Sequence, residues 1–229
     1  MKKFEFTGET QMWCGYTLRR IRALVDIPTH CVKKGDLGGW IEKDENLSHD
    51  GNAWVSDNAR VYGDAQVSDN ARVYGKAQVY GDAQVSDKAQ VYGDAQVYGK
   101  ARVYGNAQVY GKARVFGNAW VNNDARVSGN ARVYGNAQVS DNARAYGNAW
   151  VCGDAVVGNN AWVYGDAWAY GDAWVYGDAV VCGNAEVCGN AVVSGNAVVC
   201  GNTVVGGNTV VCVAERAERI PACLRNKKD

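Results

Sequence analysis

The 229-residue chain has only two histidines, and neither lies between residues 51 and 212. It has no net charge, since 24 Lys and Arg balance 24 Asp and Glu. That balance removes overall steering toward nucleic acid or a membrane surface. No apolar run approaches membrane-spanning length. Met1-Lys2-Lys3-Phe4-Glu5 leads into no apolar segment of the secretory kind, so the cytoplasm is the expected location. A phosphate loop, a zinc-ligand spacing and a Gly-x-Ser-x-Gly elbow are all missing. Insertions are missing too: from Gly51 to Cys212, 27 six-residue units abut without a gap. Loops thrown out from a scaffold are where catalytic residues concentrate. Their absence turns the reading away from an enzyme.

Each unit reads Gly-Asn-Ala-x-Val-x. Position three is Ala 25 times and Thr twice (Thr203, Thr209); position five is Val 25 times and Ala twice (Ala145, Ala169). A small residue, a variable one and a Val make the period-two alternation of a short, half-buried strand. Position one is Gly in 21 units and Asp or Asn in six: Asp57, Asp69, Asp87, Asn123, Asp141 and Asn159. These are the residues that reach positive φ at a tight corner.

Twenty-one glycines at fixed spacing exclude a helix, at a cost of about 1 kcal/mol each. Segments of about four residues are short for stacked hairpins. A solenoid remains: three hexads close a coil of 18 residues, and the 27 hexads make nine coils of parallel strands. At about 4.8 Å per coil the rod is roughly 43 Å long. The expected organisation is an N-terminal β-rich cap (1–50), a solenoid (51–212) and a short helical C-terminal cap with a tail (213–229). Val213 to Ile220 has helix-forming residues and stops at Pro221.

The Val-x-x-x-Ala-x register, as in Val61 with Ala65 and Val67 with Ala71, resembles the hexapeptide-repeat family of left-handed β-helices. That resemblance implies a left-handed, triangular coil and, in many members, trimeric acyltransferases using acetyl-CoA. Arg20-Ile21-Arg22-Ala23-Leu24-Val25-Asp26, Lys34-Gly35-Asp36-Leu37-Gly38-Gly39-Trp40-Ile41-Glu42 and Glu45-Asn46-Leu47-Ser48 narrow it. They are similar to the YdcK-like bacterial and prophage proteins, to which acyltransferase activity is ascribed. The family's enzymes bring a His on an extruded loop. Here the only histidines are His30 and His49, ahead of the coils.

His30, with Asp26 or Cys31, is the weak candidate for a general base; His49 reads as a solvated residue where the coils begin. Five of the eight Cys occupy position six. In cytosol they read as reduced, small apolar fillers, with Cys182 stacked below Cys200. No metal site is expected.

The outer positions carry what function is legible. Position six builds two aromatic columns, one through Tyr74, Tyr92 and Tyr110, the other through Tyr62, Tyr80 and Tyr98. Stacked rings shield corners and tie coils together; the same residues are the candidate binding surface, for sugars, protein or single strands. Position four is polar in 13 of 15 units of coils one to five, with Trp54 and Trp120 the exceptions. It is apolar in 10 of 12 units of coils six to nine, including Trp150, Trp162, Trp168, Trp174, Val180, Val192 and Val198. This position faces outward, and monomers rarely leave such a surface uncovered.

The expectation is therefore a non-enzymatic scaffold or binding rod. It self-associates, as dimer or trimer, through its apolar coils, or docks a protein partner there. No cofactor, membrane or nucleic acid is expected. The alternatives are a CoA-dependent acyltransferase and, discounted for want of a Thr ladder, an ice-binding surface.

Overall fold

A computed structural model of the chain describes residues 2–213. The expected helix lies outside these residues except for Val213, which ends a strand, Val210–Val213. The architecture is a parallel β-solenoid. Each hexad contributes a strand at positions four and five, from Trp54–Val55 and Arg60–Val61 onward. Strands 18 residues apart pair in parallel, giving three faces. The first face starts at Trp54–Val55, the second at Arg60–Val61 and the third at Gln66–Val67. Among the described residues no helix is long and apolar enough to cross a membrane.

The interior is what the alternation requires. Ala at position three and Val or Ala at position five are fully buried from Ala53 through Ala197. Backbone N–H groups of positions two, four and six donate to the coil above, as in Trp54 to Ala71 O (3.0 Å), Ser56 to Val73 O (2.9 Å) and Asn58 to Gly75 O (2.9 Å). Position one sits at positive φ throughout; at Gly63 (φ 70°) an added Cβ would lie 3.1 Å from the Gly81 nitrogen. Glycine is the residue that corner accepts without displacing the coil above.

Five of the six non-glycine residues at position one share a single corner: Asp69, Asp87, Asn123, Asp141 and Asn159, with φ of 55–59°. Their side chains help hold that corner. Asp87 Oδ2 accepts the Gly105 N–H at 2.9 Å, and Asp141 Oδ2 accepts the Asn159 N–H at 3.1 Å.

The first fifty residues continue the same sheet. Strands β1 (Phe4–Trp13) and β2 (Tyr16–Ala23) form an antiparallel hairpin, and β3 (Leu37–Ile41) pairs antiparallel with β2. β3 also pairs in parallel with Arg60–Val61, adding a rung to the second face that the hexad count does not include. Gly39 stands there where a hexad has Ala, because a Cβ would meet Ala59 O and Val55 Cγ1, both at 2.8 Å.

Asn46, fully buried, closes the end of the first coil. Its amide donates to Gly63 O (3.0 Å) and Ala65 O (2.8 Å), and its Oδ1 accepts the Lys43 N–H (2.9 Å). A side chain here stands in for backbone partners that a further coil would supply. At the other end Thr203 and Thr209 replace the small interior Ala and are exposed. Their hydroxyls donate to Cys200 O (2.8 Å) and Gly206 O (2.7 Å), suiting the position to water where the core runs out.

Candidate functional site

The aromatic columns exist as continuous stacks. On the second face Tyr62, Tyr80, Tyr98, Phe116 and Tyr134 follow one another at 4.8–5.0 Å between ring centres, within 2° of parallel. On the first face Tyr74, Tyr92 and Tyr110 stack at 4.8 and 4.9 Å, and Tyr146 and Tyr164 at 4.7 Å. The spacing is the distance between neighbouring strands, so one ring fits per coil. Two of the phenols also donate to position four of the coil above, Tyr62 Oη to Gln78 Oε1 at 3.5 Å and Tyr74 Oη to Gln90 Oε1 at 3.4 Å.

Two sequence expectations about exposure are corrected. Tyr62 is only 4% exposed, because Tyr16 of the hairpin packs on it at 5.0 Å; it offers no binding surface. Trp54, expected outward, is 1% exposed, held beneath Gly38, whose Cβ would lie 2.8 Å from its ring. The hairpin thus adds Tyr16 to the second-face stack, and β3 covers the first coil at Trp54. Tyr74, Tyr80, Tyr92, Tyr98 and Tyr110 remain half-exposed. Burial raises the Tyr62 phenol to about 12 and, farther along the rod, that of Tyr146 to about 12.

Apolar position-four residues of the later coils do reach solvent. Trp162, Trp168 and Trp174 stand on the three faces of one coil and are 38%, 39% and 52% exposed. Val198, Val204 and Val210 are exposed as well, whereas Trp150, Val180 and Val192 are half-buried. Trp150 stacks on Trp168 at 4.6 Å, and guanidinium groups cap the edge of the region, Arg132 over Trp150 at 4.8 Å and Arg144 over Trp162 at 5.0 Å.

The histidines are structural in their contacts. His49 stacks on Phe4 at 4.4 Å, and its Nδ1 accepts the Lys3 N–H at 3.1 Å. The proton must then sit on Nε2, which donates to Asp44 Oδ2 at 2.9 Å. His49 is therefore a clamp between β1 and the segment after β3, and the expectation of a solvated side chain gives way. His30 ends a single 3-10 turn, Pro28–His30, and burial lowers its pKa. No hydrogen bond joins it to Asp26, which accepts the Lys34 N–H at 2.7 Å, or to Cys31, which takes a left-handed conformation with φ of 57°.

Sequence reasoning passed over Lys3. It is 3% exposed, its Nζ has no partner, and burial lowers its pKa to about 8. Nothing in a lone lysine near a terminus signals this, because the burial comes from elements 20 to 50 residues away. Among the described residues no three His, Cys, Asp or Glu side chains converge as metal ligands do.

The YdcK beta-solenoid repeat family matches residues 65–81, 77–93, 89–105, 95–111, 107–123, 125–139, 137–153 and 185–201. These overlapping stretches span a little under half the chain, all of it within the coils. Trp162, Trp168 and Trp174 fall in the interval the matches leave out. No curated protein matches the chain. The chain is a β-solenoid repeat protein whose repeats are similar to those of that family.

Proposed function

We propose that this protein is a non-enzymatic β-solenoid scaffold that self-associates through the outer faces of coils six to nine. One observation carries the reading: Trp162, Trp168 and Trp174 are each more than a third exposed, although position four is polar in 13 of the 15 units of coils one to five. Large apolar side chains that reach solvent on a regular β-surface, among the described residues, favour a partner surface of the same kind. The third face is the strongest candidate for the contact, since Trp174, Tyr176 and Val210 all stand exposed along it. A second copy lies against that face, as dimer or trimer, and the polar early coils project from the assembly.

Sedimentation equilibrium of the purified chain tests this. The expected result is a dimer or trimer that dissociates in the Trp174→Gln, Val210→Gln double variant without loss of β-structure. A monomer at every concentration overturns the proposal. The acyltransferase alternative rests on His30, the weak candidate for a general base, whose pKa burial lowers. Titration with acetyl-CoA separates the readings, since stoichiometric binding with turnover lost in His30→Ala would favour the enzyme.

A further inference from the structure

The first-face stack is interrupted once within its aromatic run. Tyr74, Tyr92 and Tyr110 are followed by Ser128, and the column resumes with Tyr146 and Tyr164. With one ring per coil on either side, the missing ring leaves the faces of Tyr110 and Tyr146 roughly 10 Å apart, two strand spacings. The gap is a recess of about 190 Å³ lined by Tyr110, Arg126, Ser128, Arg144 and Tyr146. It is open by the width of one aromatic ring, bounded by a ring on each side, with a small hydroxyl at its base.

The other comparable gap is filled. On the second face Cys152 interrupts the column between Tyr134 and Tyr170. There Trp150 packs edge-on against Tyr134 at 6.0 Å and Trp168 against Tyr170 at 6.2 Å, and Cys152 is buried. At Ser128 the neighbouring position-four residues are Arg126 and Arg144, which leave the slot open.

Those two arginines are directly paired across neighbouring strands. Neither has a carboxylate partner among the described residues. Like charges opposite one another on a sheet are unfavourable, and an anion between them relieves this. Two ring faces one ring apart beside two guanidiniums without a carboxylate partner, that of Arg144 lying over the Trp162 ring at 5.0 Å, suit a flat base that carries a phosphate. We propose that the Ser128 gap is a binding slot for a mononucleotide, its base stacked between Tyr110 and Tyr146 and its phosphate held by Arg126 and Arg144. The slot lies on the first face and the proposed self-association contact on the third, and self-association is read by sedimentation and not by ligand binding.

The test is calorimetric titration of the full chain with adenosine 5′-monophosphate, and with adenosine, inorganic phosphate and a short deoxyadenosine oligonucleotide in parallel. The monophosphate binds one per chain, and adenosine and phosphate bind at least tenfold more weakly. Ser128→Tyr, which completes the column with the residue its neighbours already use, abolishes binding while melting at or above the wild-type temperature. Arg126→Gln weakens the monophosphate at least fivefold and leaves adenosine unchanged. No binding at millimolar monophosphate, or equal binding by Ser128→Tyr, overturns the proposal. Tighter binding of the oligonucleotide than of the monophosphate overturns the assignment to a free nucleotide.

Discussion

Coils one to five and coils six to nine have the same interior and different exteriors. Ala at position three is fully buried in Ala107 as in Ala185, and Val at position five in Val109 as in Val187. Outside, position four is Gln108 or Arg126 in the early coils and Trp174 or Val198 in the later ones. The solenoid therefore separates its two tasks by strand position. Inward residues specify the coil and depart from Ala at position three only at Thr203 and Thr209 and from Val at position five only at Ala145 and Ala169, while outward ones change freely because a period of two sends them away from the core. Charge follows the outer positions as well: residues 51–140 carry 10 Lys and Arg against 7 Asp and Glu, and residues 141–212 carry 1 against 6.

If the interiors are equivalent, damage to them must be equivalent. Val109→Asp and Val187→Asp each place an unpaired carboxylate in a column of Ala and Val, and each costs more than about 4 kcal/mol. Thermal unfolding followed by circular dichroism checks this. A late-coil variant much milder than the early one would break the comparison. The end of the rod is the next most sensitive place. Asn46→Ala removes the partners of the Gly63 and Ala65 carbonyls and of the Lys43 N–H, at about 2–4 kcal/mol. Because each coil contacts only its neighbours, the loss of hydrogen-exchange protection is expected in the first coils and not beyond coil six.

The exteriors should be exchangeable. Gln66 and Gln84 are exposed on the third face, below the proposed contact. Gln66→Trp with Gln84→Trp is expected to tighten self-association about tenfold, or about 1.4 kcal/mol, with stability changed by no more than about 0.5 kcal/mol. Sedimentation equilibrium reads the first and thermal melting the second. Unchanged association would show that apolar area alone does not hold the copies together.

The parts of the fold that repeat were legible: the alternation from Ala53 to Val211 dictates inward and outward positions, and the period of 18 residues puts Tyr80 on Tyr98. What broke the period was not. β3 adds a rung with Gly39 in the place of Ala, and His49-Asp50 then shift the register before Gly51. Trp54 and Tyr62 obey the outward rule but are covered from outside the hexads, Trp54 by Gly38 of β3 and Tyr62 by Tyr16 of the hairpin 46 residues earlier, which no local pattern announces. Gly38-Gly39 was the available clue, since two adjacent glycines in a strand mark a close approach of other groups. In the candidate binding surface the informative residue was the one that is not aromatic, and its meaning depends on whether Trp or Arg stands beside it.

The smallest expected effect compares the two aromatic columns through their protons. Burial holds the phenols of Tyr62 and Tyr146 up to about 12, against about 10 in the unfolded chain. Between those values the unfolded state has released a proton that the folded state keeps, so stability falls as pH rises. The contribution is fully present below pH 10 and is lost as pH climbs through about 12. Melting temperatures measured from pH 8 to 12 should hold level and then decline. Tyr62→Phe and Tyr146→Phe each flatten the decline, and together they flatten it further, because the two rings stand on different faces in coils far apart. If only Tyr62→Phe does so, the cover supplied by the N-terminal hairpin, and not stacking within the coils, is what keeps these phenols protonated.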